Sequence, residues 1–160
     1  MKRALKIGGV ALVVIVIGIL ATGLKVSSPS KEFAAYDAEA KAFIEETVRA
    51  LGASWNKQEV LKRSSIEFAK EVTDAQMDGI TKICAERLGP LDTYYGADGK
   101  VGVFYSAEYG KYLQGQYIAE ANFQKGKGKI SVSVLKRKGK WQLLGFLVDS
   151  EVFRTAAKGS

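Results

Sequence analysis

The sequence predicts an α+β fold: three N-terminal helices packed on a four-stranded, mostly antiparallel, curved sheet, with a transmembrane or signal helix ahead of them. Three observations carry this. Over residues 117–152 apolar and polar residues alternate in segments separated by Gly/Lys clusters, the pattern of strands joined by tight turns. Over residues 30–90 apolar residues instead recur at three- and four-residue steps, between residues suited to capping helices. Ahead of both, residues 8–24 form a seventeen-residue run without a charge.

Lys2, Arg3 and Lys6 head the chain, and the apolar run follows them. As a helix at about 1.5 Å per residue it reaches roughly 26 Å, a little short of the roughly 30 Å hydrocarbon layer. It is longer than the roughly 7–15 residues of a signal-peptide core. It also lacks the polar face of a helix packed in a soluble domain. An uncleaved anchor is the first reading. The small residues Ala21, Thr22 and Gly23 support a cleaved signal as the second. The basic head, set against Lys25 and Lys31 beyond the run, puts the N-terminus in the cytoplasm and the rest outside it. No cysteine follows the run, which excludes lipid attachment in the bacterial lipoprotein manner. The chain thus divides into an anchor or signal (1–24), a linker (25–30) and an α+β domain (31–160).

Ser30 can cap the first helix, whose stripe is Tyr36, Ala40, Phe43/Ile44, Thr47/Val48 and Leu51, ending near Gly52. Asn56 with Glu59 resembles a capping box for a second helix through Val60/Leu61, Ser64, Phe68 and Val72. Thr73 with Gln76 repeats the device for a third, with Met77, Ile80, Cys84 and Leu88 inward and Gly89-Pro90 closing it. Cys84 on that stripe reads as a buried structural thiol, since burial without a nearby cation disfavours thiolate.

Residues 91–116 suggest strand pieces at 93–95 and 101–105 around an Ala-Asp-Gly turn at 97–99. Tyr117, Ala119, Ala121 and Phe123 then share one face of a strand, and Ile130, Val132 and Val134 one face of the next. In the last strand Trp141, Leu143 and Leu147 fall on one face and Leu144, Phe146 and Val148 on the other. Both faces are apolar, although helices cover only one. A bulge near Gly145, or cover by the chain's own ends, would resolve this. Otherwise Leu144, Phe146 and Val148 form a partner surface, the partner being a second copy or a membrane protein.

The formal net charge of +7 is uneven: residues 30–92 carry −3 and residues 93–160 carry +6. Lys125, Lys127 and Lys129 on one side, and Lys136, Arg137, Lys138 and Lys140 on the other, bracket a strand of about six residues. At about 3.3 Å per residue they lie roughly 20 Å apart, two solvated turns rather than one anion patch. Export argues further against nucleic acid.

The chain has no histidine and one cysteine, which removes internal disulfides, paired-thiolate metal sites and the commonest general base. Neither metal nor cofactor is expected. The acid–base candidates are Asp92, Glu108, Glu120, Asp149, Tyr94 and Tyr105, and no spacing singles out a pair. Tyr105, Tyr117 and Trp141 are candidates to line a cone-shaped pocket between helices and sheet.

Helices followed by a meander, with Gly139-Lys140-Trp141 opening the last strand and Gly145-Phe146 within it, resemble a known bacterial group. Leu88-Gly89-Pro90-Leu91 with Tyr94, and Ala53-Ser54-Trp55, fit the same pattern. The chain resembles, over about residues 40–150, the uncharacterised exported domains of the cystatin-like, nuclear-transport-factor-like superfamily. The resemblance implies the fold and brings no set of functional residues, because that superfamily hosts enzymes, ligand binders and assembly modules. The expected function is a non-enzymatic binding or assembly module at the outer face of a bacterial cytoplasmic membrane, secreted if the signal is cleaved. The alternative is a small-molecule carrier or acid–base enzyme using the cone.

Overall fold

Four long strands carry the structure: β3 (Leu91–Ser106), β4 (Gly110–Phe123), β5 (Gly126–Arg137) and β6 (Lys140–Asp149), each antiparallel to the next. They form an open sheet with helices against it, an α+β fold. The computed structural model describes residues 12–14, 24–26 and 30–158, with side chains from Ser30 to Arg154. Two three-residue strands flank the meander: β1 (Leu12–Val14) on β6, and β2 (Leu24–Val26) on β3. Most of the apolar run 8–24 lies outside the described residues. Those of its residues that are described, Leu12–Val14 and Leu24, are extended rather than helical. Leu and Val suit either state when no polar face breaks the pattern. No described helix is long and apolar enough to cross a membrane.

The chain reaches the sheet through α1 (Ser30–Ser54), α2 (Lys57–Leu61), α3 (Ile66–Glu71) and α4 (Asp74–Arg87). The α1 stripe Ala40, Ile44, Val48 and Leu51 is buried as its spacing predicts. Thr73 and Gln76 form the full capping box at the start of α4. Cys84 is fully buried, and burial pushes its thiol up to about 12.

The helix expected through Val60, Ser64 and Phe68 is instead two. Between them the backbone turns aside to pair with β6: the Ser65 amide donates to Leu143 O at 2.8 Å, and the Leu143 amide to Arg63 O at 2.7 Å. Ser65 then caps α3 by accepting from the Phe68 amide. Two buried backbone groups of Leu143 gain partners this way, which outweighs one unbroken helix.

No turn occurs at 97–99, and β3 runs through it with register shifts near Thr93 and Gly96. Gly99 serves close packing. A Cβ there would sit 2.0 Å from Gln116 O and 2.7 Å from Tyr117 Cδ1, and one on Gly115 would sit 2.8 Å from Tyr117 Cε2. The two glycines let the Tyr117 ring lie down on the sheet. The β3–β4 turn follows Ser106, whose hydroxyl accepts from the Tyr109 amide.

β6 carries a bulge. Ser133 pairs with Gly145 but Val134 pairs with Leu143, leaving Leu144 as the extra residue. Alternation therefore changes phase, and Leu143, Phe146 and Val148 all join the helix-side core. Leu144 turns to the second face, where it packs with Leu135 and Tyr112, flanked by Phe104 and Tyr109. Half-buried Leu147, opposite Ser131, lies on that face too and not with Trp141 and Leu143. This corrects the reading of Leu144, Phe146 and Val148 as one exposed face. All three are buried, Phe146 with its ring 6.1 Å from that of Phe68.

After β6 comes α5 (Glu151–Lys158), which no sequence signal singled out. Ser150 leads into it, with its hydroxyl donating to Lys127 O and accepting from the Val152 amide, while Phe153 enters the core.

Candidate functional site

The cone between helices and sheet is the natural place to look for a pocket, and it is filled. Ile44 and Val48 from α1, Phe68, Met77 and Cys84 meet Tyr117, Val132 and Phe146 from the sheet in one buried cluster. Its polar groups are partnered. Thr47 Oγ1 donates to Phe43 O at 2.7 Å and Thr81 Oγ1 to Met77 O at 2.9 Å, each bonding within its own helix.

Tyr117 is the one cone residue of the three expected to line a pocket. Its hydroxyl donates to Asp37 Oδ1 at 2.7 Å, and Asp37 Oδ2 pairs with Lys41 at 3.1 Å. Burial first, then the Asp37 carboxylate, push the hydroxyl above its ordinary range. It therefore keeps its proton, and that proton is already committed to Asp37. Chemically the pair is a latch between α1 and the sheet. Asp37 was legible in principle: it lies seven residues before Ile44, two turns earlier on the same helix face.

The other two lining candidates are elsewhere. Tyr105 is 46% exposed at the end of β3. Trp141, on β6 two strands from Tyr117, is half-buried at the rim of the helix-side core, on the face of Leu143 and against α1. Its Nε1 donates to Glu39 Oε2 at 3.2 Å. Glu39 also pairs with Lys136, whose ammonium lies 5.7 Å from the Trp141 ring centre and 5.9 Å from that of Tyr36. The hydrogen bond from Lys136 comes first among the contacts that hold the Glu39 carboxyl below its ordinary range. Beside this rim, Arg137 grips Glu67 with both guanidinium ends at 2.9 and 3.1 Å and lies 4.5 Å from the Tyr109 ring centre.

The acid–base candidates do not form one cluster: Asp92 is exposed on β3 and Glu108 in the β3–β4 turn, while Glu120 and Asp149 line one cleft. Asp149 pairs with Arg154 at 2.7 Å. Tyr94 lies under Arg49 at 5.4 Å, its hydroxyl pushed up to about 12 by burial first.

A cleft of about 390 Å³ opens away from the cone, lined by Tyr95, Glu120, Asn122, Lys129, Asp149 and Arg154 among others. Asn122 Nδ2 donates to the Tyr95 hydroxyl at 2.7 Å, while its Oδ1 is buried without a partner. Arg154 is taken up by Asp149 and Glu151. Among the described residues no group of three or more His, Cys, Asp or Glu side chains is placed to hold a metal ion. No protein-family model, curated protein or solved structure matches this chain.

Proposed function

We propose that the chain is a non-enzymatic binding or assembly module held at the outer face of a bacterial cytoplasmic membrane by residues 8–24. Its partner is a second copy of itself or another membrane protein. The fold belongs, on this reading, to the cystatin-like, nuclear-transport-factor-like superfamily that its Gly-Lys-Trp hairpin resembles. The observation that carries the non-enzymatic part is the filled cone: its largest side chains pack together, and its described hydroxyls are spent, Tyr117 on Asp37 and Thr47 and Thr81 on carbonyls of their own helices. A carrier or enzyme of this architecture needs an open cone with polar groups free to meet a ligand.

The tether rests on composition. Ten of the seventeen residues at 8–24 are Leu, Ile or Val. Each contributes about 0.3–0.6 kcal/mol to insertion at mid-bilayer depth, so together they give roughly 3–6 kcal/mol. In the bilayer the segment gives up the three β1 pairs to β6, at about 0.2–1 kcal/mol each, which offsets part of that gain.

The test is native mass spectrometry of the full chain released from membranes in mild detergent. The expected mass is that of the bare chain, a whole-number multiple of it, or the chain with a second polypeptide, in each case without a small-molecule increment. A small molecule that co-purifies, and is lost when Val132→Trp fills the cone further, would return the carrier reading.

A further inference from the structure

The chain enters the domain at one identifiable end. β2 runs antiparallel to β3 with Leu24 opposite Tyr105 and Val26 opposite Val103, so β2 begins at the end of the sheet that carries the β3–β4 turn. The start of α1 lies at the same end: Glu32 pairs with Lys111 at 3.6 Å, and Lys111 Nζ is 3.4 Å from the Tyr36 hydroxyl. The β5–β6 turn is level with both, because Leu113 pairs with Val103 on one side and with Lys136 on the other.

The charges at this end divide into spent and free. Lys111, Lys136 and Arg137 are neutralised by Glu32, Glu39 and Glu67. Lys31, Lys138 and Lys140 are exposed and make no ion pair or hydrogen bond with a described side chain, and the acid left over is Glu108. Lys138 and Gly139 both hold left-handed backbone, at φ 54° and 76°, so the turn is tight and carries its lysines at the tip. Tyr105 stands exposed at the same end on β3, two strands from β5, and Trp141 is half-exposed next to the turn; these are the residue types that settle at a bilayer interface.

Resting on the anchored reading above, we propose that this end of the domain sits on an anionic phospholipid surface, with Lys138 and Lys140 against the headgroups and Tyr105 at the interface. Reach permits it. Leu24, the last residue of the anchor, pairs with Tyr105 at this end of β3, which brings this end of the sheet to the membrane surface, within reach of a Debye length of about 8–10 Å. The lysines of the other turn, Lys125, Lys127 and Lys129, are excluded by distance. They lie nine or more residues back from Lys138 along β5 and its far turn, so at about 3.3 Å per residue they are roughly 30 Å or more further out.

The experiment uses the full chain in nanodiscs of phosphatidylcholine alone or mixed with phosphatidylglycerol, reading amide hydrogen exchange. Residues 104–111 and 137–141 should exchange more slowly in the anionic discs only. Each lysine near an anionic surface is worth about a fivefold change in occupancy, so Lys138→Glu with Lys140→Glu should lower contact by at least about 25-fold and erase the difference. Lys127→Glu with Lys129→Glu should leave it intact. Equal exchange in both lipids, or loss of protection through the distal pair, would overturn the proposal while the chain remains in the disc. A chain that washes out of the discs at high salt would overturn the anchored reading, and this proposal with it.

Discussion

Two glycine-to-alanine changes should move stability in opposite directions, because the structure uses Gly99 and Gly79 for opposite reasons. At Gly99 the added methyl would lie 2.0 Å from Gln116 O and 2.6 Å from Tyr117 Cα. Both are backbone atoms of β4, so no side chain can rotate away. Relief requires β3 and β4 to part, and they are paired from Leu91 opposite Phe123 to Ser106 opposite Gly110. Overpacking costs about 1–3 kcal/mol, and a backbone clash belongs at the upper end, about 3 kcal/mol. Gly79 lies inside α4, where a Cβ meets nothing within 4 Å. Alanine there removes backbone freedom from the unfolded chain and should stabilise by about 0.5–1 kcal/mol. The assay is urea unfolding of the full chain in mild detergent, followed by Trp55 and Trp141 fluorescence. The variants should differ by about 4 kcal/mol, with the parent between them nearer Gly79→Ala. A Gly99→Ala protein within about 0.5 kcal/mol of the parent would refute the claim that this glycine serves close strand approach.

Other expectations follow from single contacts. Phe146→Lys should unfold the domain rather than dissolve an association, because it strands a charge against Phe68 in the core; a folded, soluble variant by circular dichroism would contradict the bulge-driven register. Trp55→Phe loses the buried bond from Nε1 to Gly89 O at 2.8 Å and should cost about 1–3 kcal/mol in the same urea assay. Raising pH should destabilise the fold from about pH 9. The Cys84 thiol titrates near 9.0 when unfolded and about 12 when folded, so its full contribution is present below pH 9. Across the interval the unfolded state ionises first, and up to about 1.4 kcal/mol is lost per pH unit. Cys84→Ala should flatten that slope, which a pH series of melting curves would read.

The sequence was most legible where one local rule decided the outcome. Alternation over 117–135 needs only a pleat and a covered face, and the Thr73–Gln76 box needs only four residues in a row. It was least legible where a distant segment cast the deciding contact. Gly99 looks like a turn residue until Tyr117 is known to lie on it. Leu144 looks like one more alternating residue until β5 is known to pair past it. The α2–α3 break depends on unpaired groups at Leu143, some eighty positions away. The two basic groups were rightly separated: β5 is longer than the six residues between them only because Lys127, Lys129, Lys136 and Arg137 belong to it, and Lys129 and Lys136 stay about 23 Å apart. Asp37 hid among the charged residues of α1, since nothing local distinguishes a latch from a solvated carboxylate. For residues 8–24 composition gives apolarity but no face, which suits a bilayer helix and a sheet-edge strand alike.

The account stands on residues 31–160 lying outside the cytoplasm, and reporter fusions after Ser160 measure that directly. An alkaline phosphatase fusion should be active, and a fluorescent protein that matures only in the cytoplasm should be dark in the same position. A dark phosphatase with a bright cytoplasmic reporter would contradict it.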